Sequence, residues 1–402
     1  MSENLLKISI TGDILCKKQL LESSKTSDGG YDFNSSFEKI KPLWADSDIV
    51  IGNLETPIIN DKSNLVSHKT NFAAPKEFAE AVYNSGIHYV STANNHALDR
   101  GIDGLNDTIE ILDDIGFKHT GTFNDPARPS LIFEKNGIKF GMLSYTYGSN
   151  AHRNKNYIEE SEEWRINLFQ KQELSNKYLR YIFLNKMKNP LLRFLDIFYC
   201  LLHPQYLFRH VGERRQNDTF EMRKLKKDIE ELDKEKCDFK IMCMHIGGQY
   251  NEKPSPYTKK MVRFLKSHGV NIIVGNHEHV VHGCDLSDAA DNKFATYCLG
   301  NFLSSAGLLE EPYDKNAEYS VLCHIFIDPI SKNIVKITFN ILTTIQDAAG
   351  MLETVPAYDL YQSADSSEKE RICKKMLYAA KKFSGSRTLY PSSEYTLYPS
   401  CS

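Results

Sequence analysis

NIIVGNHEHVVHG, residues 271–283, begins as an apolar run, breaks at Gly275 and sets His277 and His279 on either side of Glu278. A short apolar run of this kind reads as a strand covered on both faces. Side chains suited to metal binding and proton transfer then stand just past its carboxyl end. The design recurs along the chain. LLKISITGD (5–13) closes on Asp13, DIVIGNLE (48–55) on Glu55, and HYVSTANNH (88–96) on Asn95 and His96. KIMCMHIGG (240–248) carries His245 near its end, and FATYCLGNF (294–302) reads as one more strand, ending at Asn301.

Helical patterns separate these runs. APKEFAEAVYNSG (74–86), GLNDTIEILDDIG (104–116) and SPYTKKMVRFLKSHG (255–269) each show helical apolar spacing and a glycine stop. FEMRKLKKDIEELDKEKCD (220–238) reads as an exposed, charge-laced helix. Strands alternating with helices predict an α/β fold whose sheet is largely buried. Ligands of such sheets sit beyond the strands' carboxyl ends, where the polar clusters fall.

The 402 residues allow one large domain with insertions, or two to three smaller ones. The alternation is expected over 1–345, interrupted by a helical insertion at about 150–220, with a C-terminal helix and extended tail over 346–402. The insertion is rich in aromatic and basic residues and broken at Pro190 and Pro204. It reads as helices packed on the core, with a lid, a dimer face or a membrane-surface patch as alternatives. Past Gln346 the sheet pattern is expected to stop. SSEKERICKKMLYAAKKF (366–383) then reads as a serine-capped helix, before a tail lying on the surface or disordered.

A net charge of −3 gives no electrostatic reason to expect nucleic acid or an anionic membrane as the main partner. The 9 cysteines are scattered and suit a reducing compartment. The N-terminus enters a strand pattern at once, and no apolar run approaches the ~20 residues of a membrane span. These features predict a cytoplasmic protein; a chain trimmed of an envelope leader would look the same.

Any one strand-end histidine has a structural reading as a hydrogen-bonded residue. Asp13, Glu55, Asn95, His96, His245, His277 and His279 together form a set of carboxylate, amide and imidazole donors. Such donors suit Mn, Fe or Zn, and a mixed set suits two ions roughly 3.5–4 Å apart. Asp99 either orients His96 or caps the next helix. Asn53 and Asn301 are expected to bond loop backbone, with a ligand role as the alternative, and Glu278 to support the site or face solvent. His68 and Lys69 are expected in a solvated loop, with approach to a polyanionic substrate as the alternative. No phosphate-binding glycine loop followed by Lys-Ser/Thr and no GxSxG elbow is present, which argues against ATP binding of that type and against a serine hydrolase.

TGD, NLETP, ANNHALDRG, HIGGQY, GNHEHVVHG and LGNF occur here in the order and approximate spacing of the CapA family. The chain resembles that family, named for a protein of poly-gamma-glutamate capsule synthesis, over about Leu5 to Ile345 apart from the insertion. The family is similar in turn to calcineurin-like metallophosphoesterases. The resemblance implies a metallophosphatase-like layered β-sheet core flanked by helices, holding one or two divalent ions. It implies metal ligands at Asp13, Glu55 (bridging), Asn95, His245, His277 and His279, with His96 protonating the leaving group. The expected activity is hydrolysis of a phosphoester or γ-glutamyl amide by metal-activated water. The expected partners are an anionic polymer or phosphoester substrate and capsule synthesis or export proteins. The alternative is a non-catalytic polymer- or partner-binding component of such a complex. Departures bear on that choice. Leu15 stands where phosphoesterases carry a ligand histidine. Ile246 and Gln249 replace the tryptophan and carboxylate common in the family's HWGxEY motif.

Overall fold

The computed structural model describes residues 5–65, 71–127, 130–170, 219–304, 317–348 and 350–398. Its strands are β1 (Leu6–Ile14), β2 (Ile49–Leu54), β3 (Tyr89–Ser91), β4 (Lys118–Thr120), β5 (Leu131–Lys135), β6 (Ile138–Thr146), β7 (Phe239–His245) and β8 (Ile272–Asn276). They continue with β9 (Cys284–Asp285), β10 (Phe294–Thr296), β11 (Asn301–Leu303), β12 (Tyr319–Asp328), β13 (Asn333–Gln346), β14 (Leu352–Pro356) and β15 (Tyr395–Tyr398).

Two sheets result. The larger runs β14-β13-β12-β1-β2-β3-β4, with β11 also on β1 and β15 also on β13; the smaller runs β5-β6-β7-β8-β10-β9. β1 to β4 are mutually parallel, as are β6, β7, β8 and β10. Leu6, Ile8, Ile10, Ile49 and Ile51 of one sheet share a core with Phe140, Met142, Ile241 and Val274 of the other. The helices Lys76–Asn84 and Gly101–Ile115 cover the outer face of the larger sheet through Phe78, Val82, Ile111 and Leu112. Thr219–Lys234 and Pro256–Ser267 cover the smaller through Leu225, Ile229, Met261 and Leu265. The layers are therefore helix, sheet, sheet, helix, the α/β layering expected. Buried on both faces, the central strands carry the apolar runs read above.

Register aligns the strand ends. Asp13 pairs with Asn53, Asn53 with Ser91, and Asp13 with Asn301 on its other side. In the smaller sheet Thr146, His245 and Asn276 form the matching row. Gly12 permits the approach of β1 to the turn before β11: a Cβ there would lie 1.9 Å from Gly300 O.

Three expectations are corrected. FATYCLGNF is not one strand: β10 belongs to the smaller sheet and β11 to the larger, and the chain crosses between them at Tyr297–Gly300, with Gly300 at φ +80°. The sheet does not stop at Gln346, because β14 and β15 both pair with β13. The helix Ser366–Ser384 is capped by Asp365, whose carboxylate accepts from Ser367 N and Glu368 N, rather than by serine. Of the expected insertion, residues 151–170 hold only two short helical turns. Their Ile158, Ile166 and Leu168 pack with Leu105 and Ile109 of the helix Gly101–Ile115. Residues 171–218 lie outside the described residues, as do His68 and Lys69. No helix among the described residues is long and apolar enough to cross a membrane.

Candidate metal centre

The two rows of strand ends face each other, and all six expected ligands meet there with His96 and Asp99. His245 Nε2 is a focal point: Asn95 Oδ1 is 2.6 Å away, His277 Nδ1 3.0 Å and Glu55 Oε1 3.4 Å. On the other side of Glu55, His279 Nδ1 lies 3.3 Å from Asp13 Oδ2. Two donor groups converge, Glu55–His245–His277 and Asp13–Glu55–His279, with the ligating atoms of each within 4.8 Å of one another. Glu55 belongs to both.

These side chains fit divalent ions. Ligand atoms on a common ion, bound at ~2.1 Å, stand roughly 3–3.5 Å apart, close to the spacing around His245. Both Glu55 oxygens are buried and lack a hydrogen-bond donor among the described residues. A buried carboxylate without donors is costly unless a cation compensates it. Burial raises the Glu55 pKa, but the charges of His245 and His279 outweigh burial and hold it down to about 2. Burial and the neighbouring Glu55 charge push Asp13 above its usual range. Burial lowers His279, but Glu55 and Asp13 outweigh it and draw a proton to that ring. The pocket thus concentrates negative charge that protons or metal ions can neutralise.

The backbone is bent to deliver the histidines. His277 has φ +97° and His279 φ +60°, both left-handed conformations uncommon for such residues. His277 N–H donates to Asp13 Oδ2 at 3.3 Å, tying this loop to the opposite sheet. Gly275, within β8, lets the chain at Tyr297 pass close by, since a Cβ there would lie 2.1 Å from Tyr297 O.

His96 stands beside the shared carboxylate. Its Nε2 is 3.9 Å from Glu55 Oε1, and its Nδ1 is 2.6 Å from Asp99 Oδ2. Phe72 N donates to the same Asp99 oxygen at 2.7 Å, and the Phe72 ring centroid is 4.2 Å from that of His96. Asp99 does not cap the following helix, whose N-terminus has no side-chain cap.

Other expectations change. Asn53 and Asn301 bond site side chains rather than loop backbone. Asn53 Nδ2 donates to Asp13 Oδ1 at 2.7 Å and lies 3.2 Å from His245 Nδ1, while Asn301 Oδ1 is 2.9 Å from His279 Nδ1. Glu278 does not face solvent; it is fully buried, with Oε2 2.8 Å from His282 Nδ1. Leu15 is buried in the apolar cluster that also holds Leu20 and Phe302. Ile246 is buried in the cluster beneath the smaller sheet's helices. Tyr147, which nothing in its local sequence singles out, lies with its ring 4.5 Å from that of His277.

Comparison with known proteins places the chain in a family. The family model described as bacterial capsule synthesis protein PGA_cap matches residues 7–306. The PGA biosynthesis protein CapA of Bacillus subtilis (strain 168) is 23% identical over 313 residues, covering 76% of this chain and 65% of that protein. The capsule biosynthesis protein CapA of Bacillus anthracis is 24% identical over 309 residues, covering 75% of this chain and 60% of that protein. The match therefore spans less than two thirds of either relative's length. A solved structure of a phosphatase from Mycoplasma pneumoniae aligns over 91% of this chain and 99% of its own, with a TM-score of 0.42 and 13% identity. Because the family match takes in about three quarters of its residues, the chain belongs to the bacterial capsule synthesis protein PGA_cap family.

Proposed function

We propose that the chain is a metal-dependent hydrolase of capsule or envelope polymer synthesis, acting on a phosphoester or a γ-linked glutamyl amide. The observation that carries this reading is the sharing of Glu55 between two groups of donors. Asp13, Glu55 and His279 would hold one divalent ion, and Glu55, Asn95, His245 and His277 the other. Such ions, when bound, supply Lewis acidity and a water acidic enough to ionise near neutral pH.

The chain's own groups do the rest. Asn53 holds Asp13, and Asn301 holds the His279 ring. Asp99 takes the Nδ1 side of His96, leaving Nε2 toward Glu55. Held in that orientation, His96 presents Nε2 as the nitrogen from which a proton would pass to a leaving group. The Phe72 ring packs against the His96 ring.

The test is a panel of phosphoesters and γ-glutamyl peptides given to metal-stripped and Mn²⁺-reconstituted protein. Turnover should require the metal, and His96→Ala should lose turnover while keeping its ions. Full activity in stripped protein would refute the reading. Leu15 favours a second reading, in which this family member binds polymer or partner without catalysis. In that case His96→Ala would retain function in the cell.

A further inference from the structure

Glu278 sits between two of the proposed ligands, yet its carboxylate turns away from the donor groups and into the protein. Its Oε1 accepts from Gly248 N at 3.2 Å, and its Oε2 lies 2.8 Å from His282 Nδ1. The other ring nitrogen, His282 Nε2, is 2.7 Å from Asn251 O. Tyr250 N donates to the Glu278 carbonyl at 2.9 Å. Glu278 and His282 are both fully buried. Gly247, at φ +119°, lies so close that a Cβ there would stand 2.4 Å from the Glu278 carboxyl carbon. Three successive contacts therefore fasten the segment 247–251 to the loop that bears His277 and His279.

That segment reaches the mouth of the pocket. Gln249 Nε2 is 3.4 Å from His279 Nε2, and the Tyr250 ring centroid is 5.6 Å from that of His279. Gln249 and Tyr250 are half-buried, unlike the ligands beneath them. We propose that the buried Glu278–His282 pair is a clamp that positions Gln249 and Tyr250 over His279, where they contact the anionic group of the substrate. Glu278 and His282 are positioning residues; Gln249 and Tyr250 are the recognition residues they serve.

The chemistry of the pair makes the proposal testable. Asn251 O is only an acceptor, so His282 Nε2 carries a proton. Glu278 Oε2 and His282 Nδ1 stand 2.8 Å apart, a buried contact that links the two side chains. Glu278→Gln meets every one of these requirements. Its oxygen accepts from Gly248 N, its amide donates to His282 Nδ1, and Nε2–H still reaches Asn251. Glu278→Ala removes the acceptor of Gly248 N, His282→Phe removes the partner of Asn251 O, and each breaks the Glu278–His282 contact.

The clamp rests on the ion-site reading only for its effect on substrate, so the test has two readouts. Hydrogen exchange at the Gly248 and Tyr250 amides reports the segment itself. Calorimetry with inorganic phosphate on the Mn²⁺-loaded protein reports recognition. Glu278→Ala and His282→Phe should speed amide exchange and weaken phosphate binding, each by about tenfold, the effect of a lost buried hydrogen bond. Manganese content should hold, and Glu278→Gln should match the parent in both readouts. The clamp is overturned if Glu278→Gln is impaired like Glu278→Ala, if Glu278→Ala loses its manganese, or if neither readout moves. A parent protein that takes up no manganese sinks the ion-site reading instead, and exchange alone then decides the clamp.

Discussion

Glu55→Gln keeps the side-chain volume of the shared residue and removes its charge. His277→Ala removes a donor from only one of the two groups. The two variants should therefore fail differently. An ion held at a hundred times its dissociation constant stabilises the folded state by about 2.7 kcal/mol, so two ions contribute about 5 kcal/mol. For a chain of 402 residues the unfolding entropy is about 0.8 kcal/mol/K, which converts this to a rise of about 6 °C in Tm. Differential scanning calorimetry with EDTA and then with Mn²⁺ measures the rise. The parent should show all of it and His277→Ala about half. Glu55→Gln should show almost none, because both groups lose their common anion. A full rise in Glu55→Gln, or equal losses in the two variants, would refute the idea that Glu55 joins two sites.

Asp99→Asn should keep its metal content but lower kcat on a chromogenic phosphomonoester by about 100-fold, the lower end of what a positioned acid contributes; unchanged turnover would remove Asp99 from the mechanism. His324 is buried between Ser9 Oγ and Asn340 Oδ1, and burial followed by the Lys7 charge lowers its pKa from 6.5 to about 4. Its neutral form is the one the fold accommodates, so this contribution is complete above pH 6.5 and is lost as pH falls toward 4, at a cost of about 3 kcal/mol. Urea midpoints at pH 7 and pH 4 should show that drop in the parent and a smaller one in His324→Gln; equal drops would acquit His324. Gly12→Ala puts a Cβ 1.9 Å from Gly300 O and should cost about 3 kcal/mol in a thermal melt, along with loss of metal through the displaced Asp13. A melt like the parent's would contradict the close approach of β1 and β11.

Much of the fold was legible because buried parallel strands announce themselves as apolar runs. β1, β2, β7 and β8 end at Ile14, Leu54, His245 and Asn276, each at or within one residue of Asp13, Glu55, His245 or His277. Alignment within each sheet was legible as well, since strands of one parallel sheet present their carboxyl ends at one edge; that the rows of two different sheets face each other was not. What a run does not show is which sheet it joins. FATYCLGNF has no charge to divide it, and only the left-handed Gly300 marks the passage from β10 to β11. β14 and β15 were hidden for another reason: Pro356 and the Tyr-Thr-Leu-Tyr alternation look like a surface tail until β13 pairs with them. Asn53 and Asn301 gained their roles from cross-strand register, which a sequence does not display. His282 carried a signal that went unread, its i,i+4 spacing from Glu278, because spacing of that kind usually means a helix and this segment is a loop.

Diffraction from crystals soaked in Mn²⁺, recorded at the manganese edge, would locate any bound ion directly. Two anomalous peaks flanking the Glu55 carboxylate are expected, one against Asp13 and His279 and the other against Asn95, His245 and His277. A soaked crystal with no peak in this pocket, or with ions seated elsewhere in the protein, would contradict the convergence of these side chains on a metal centre.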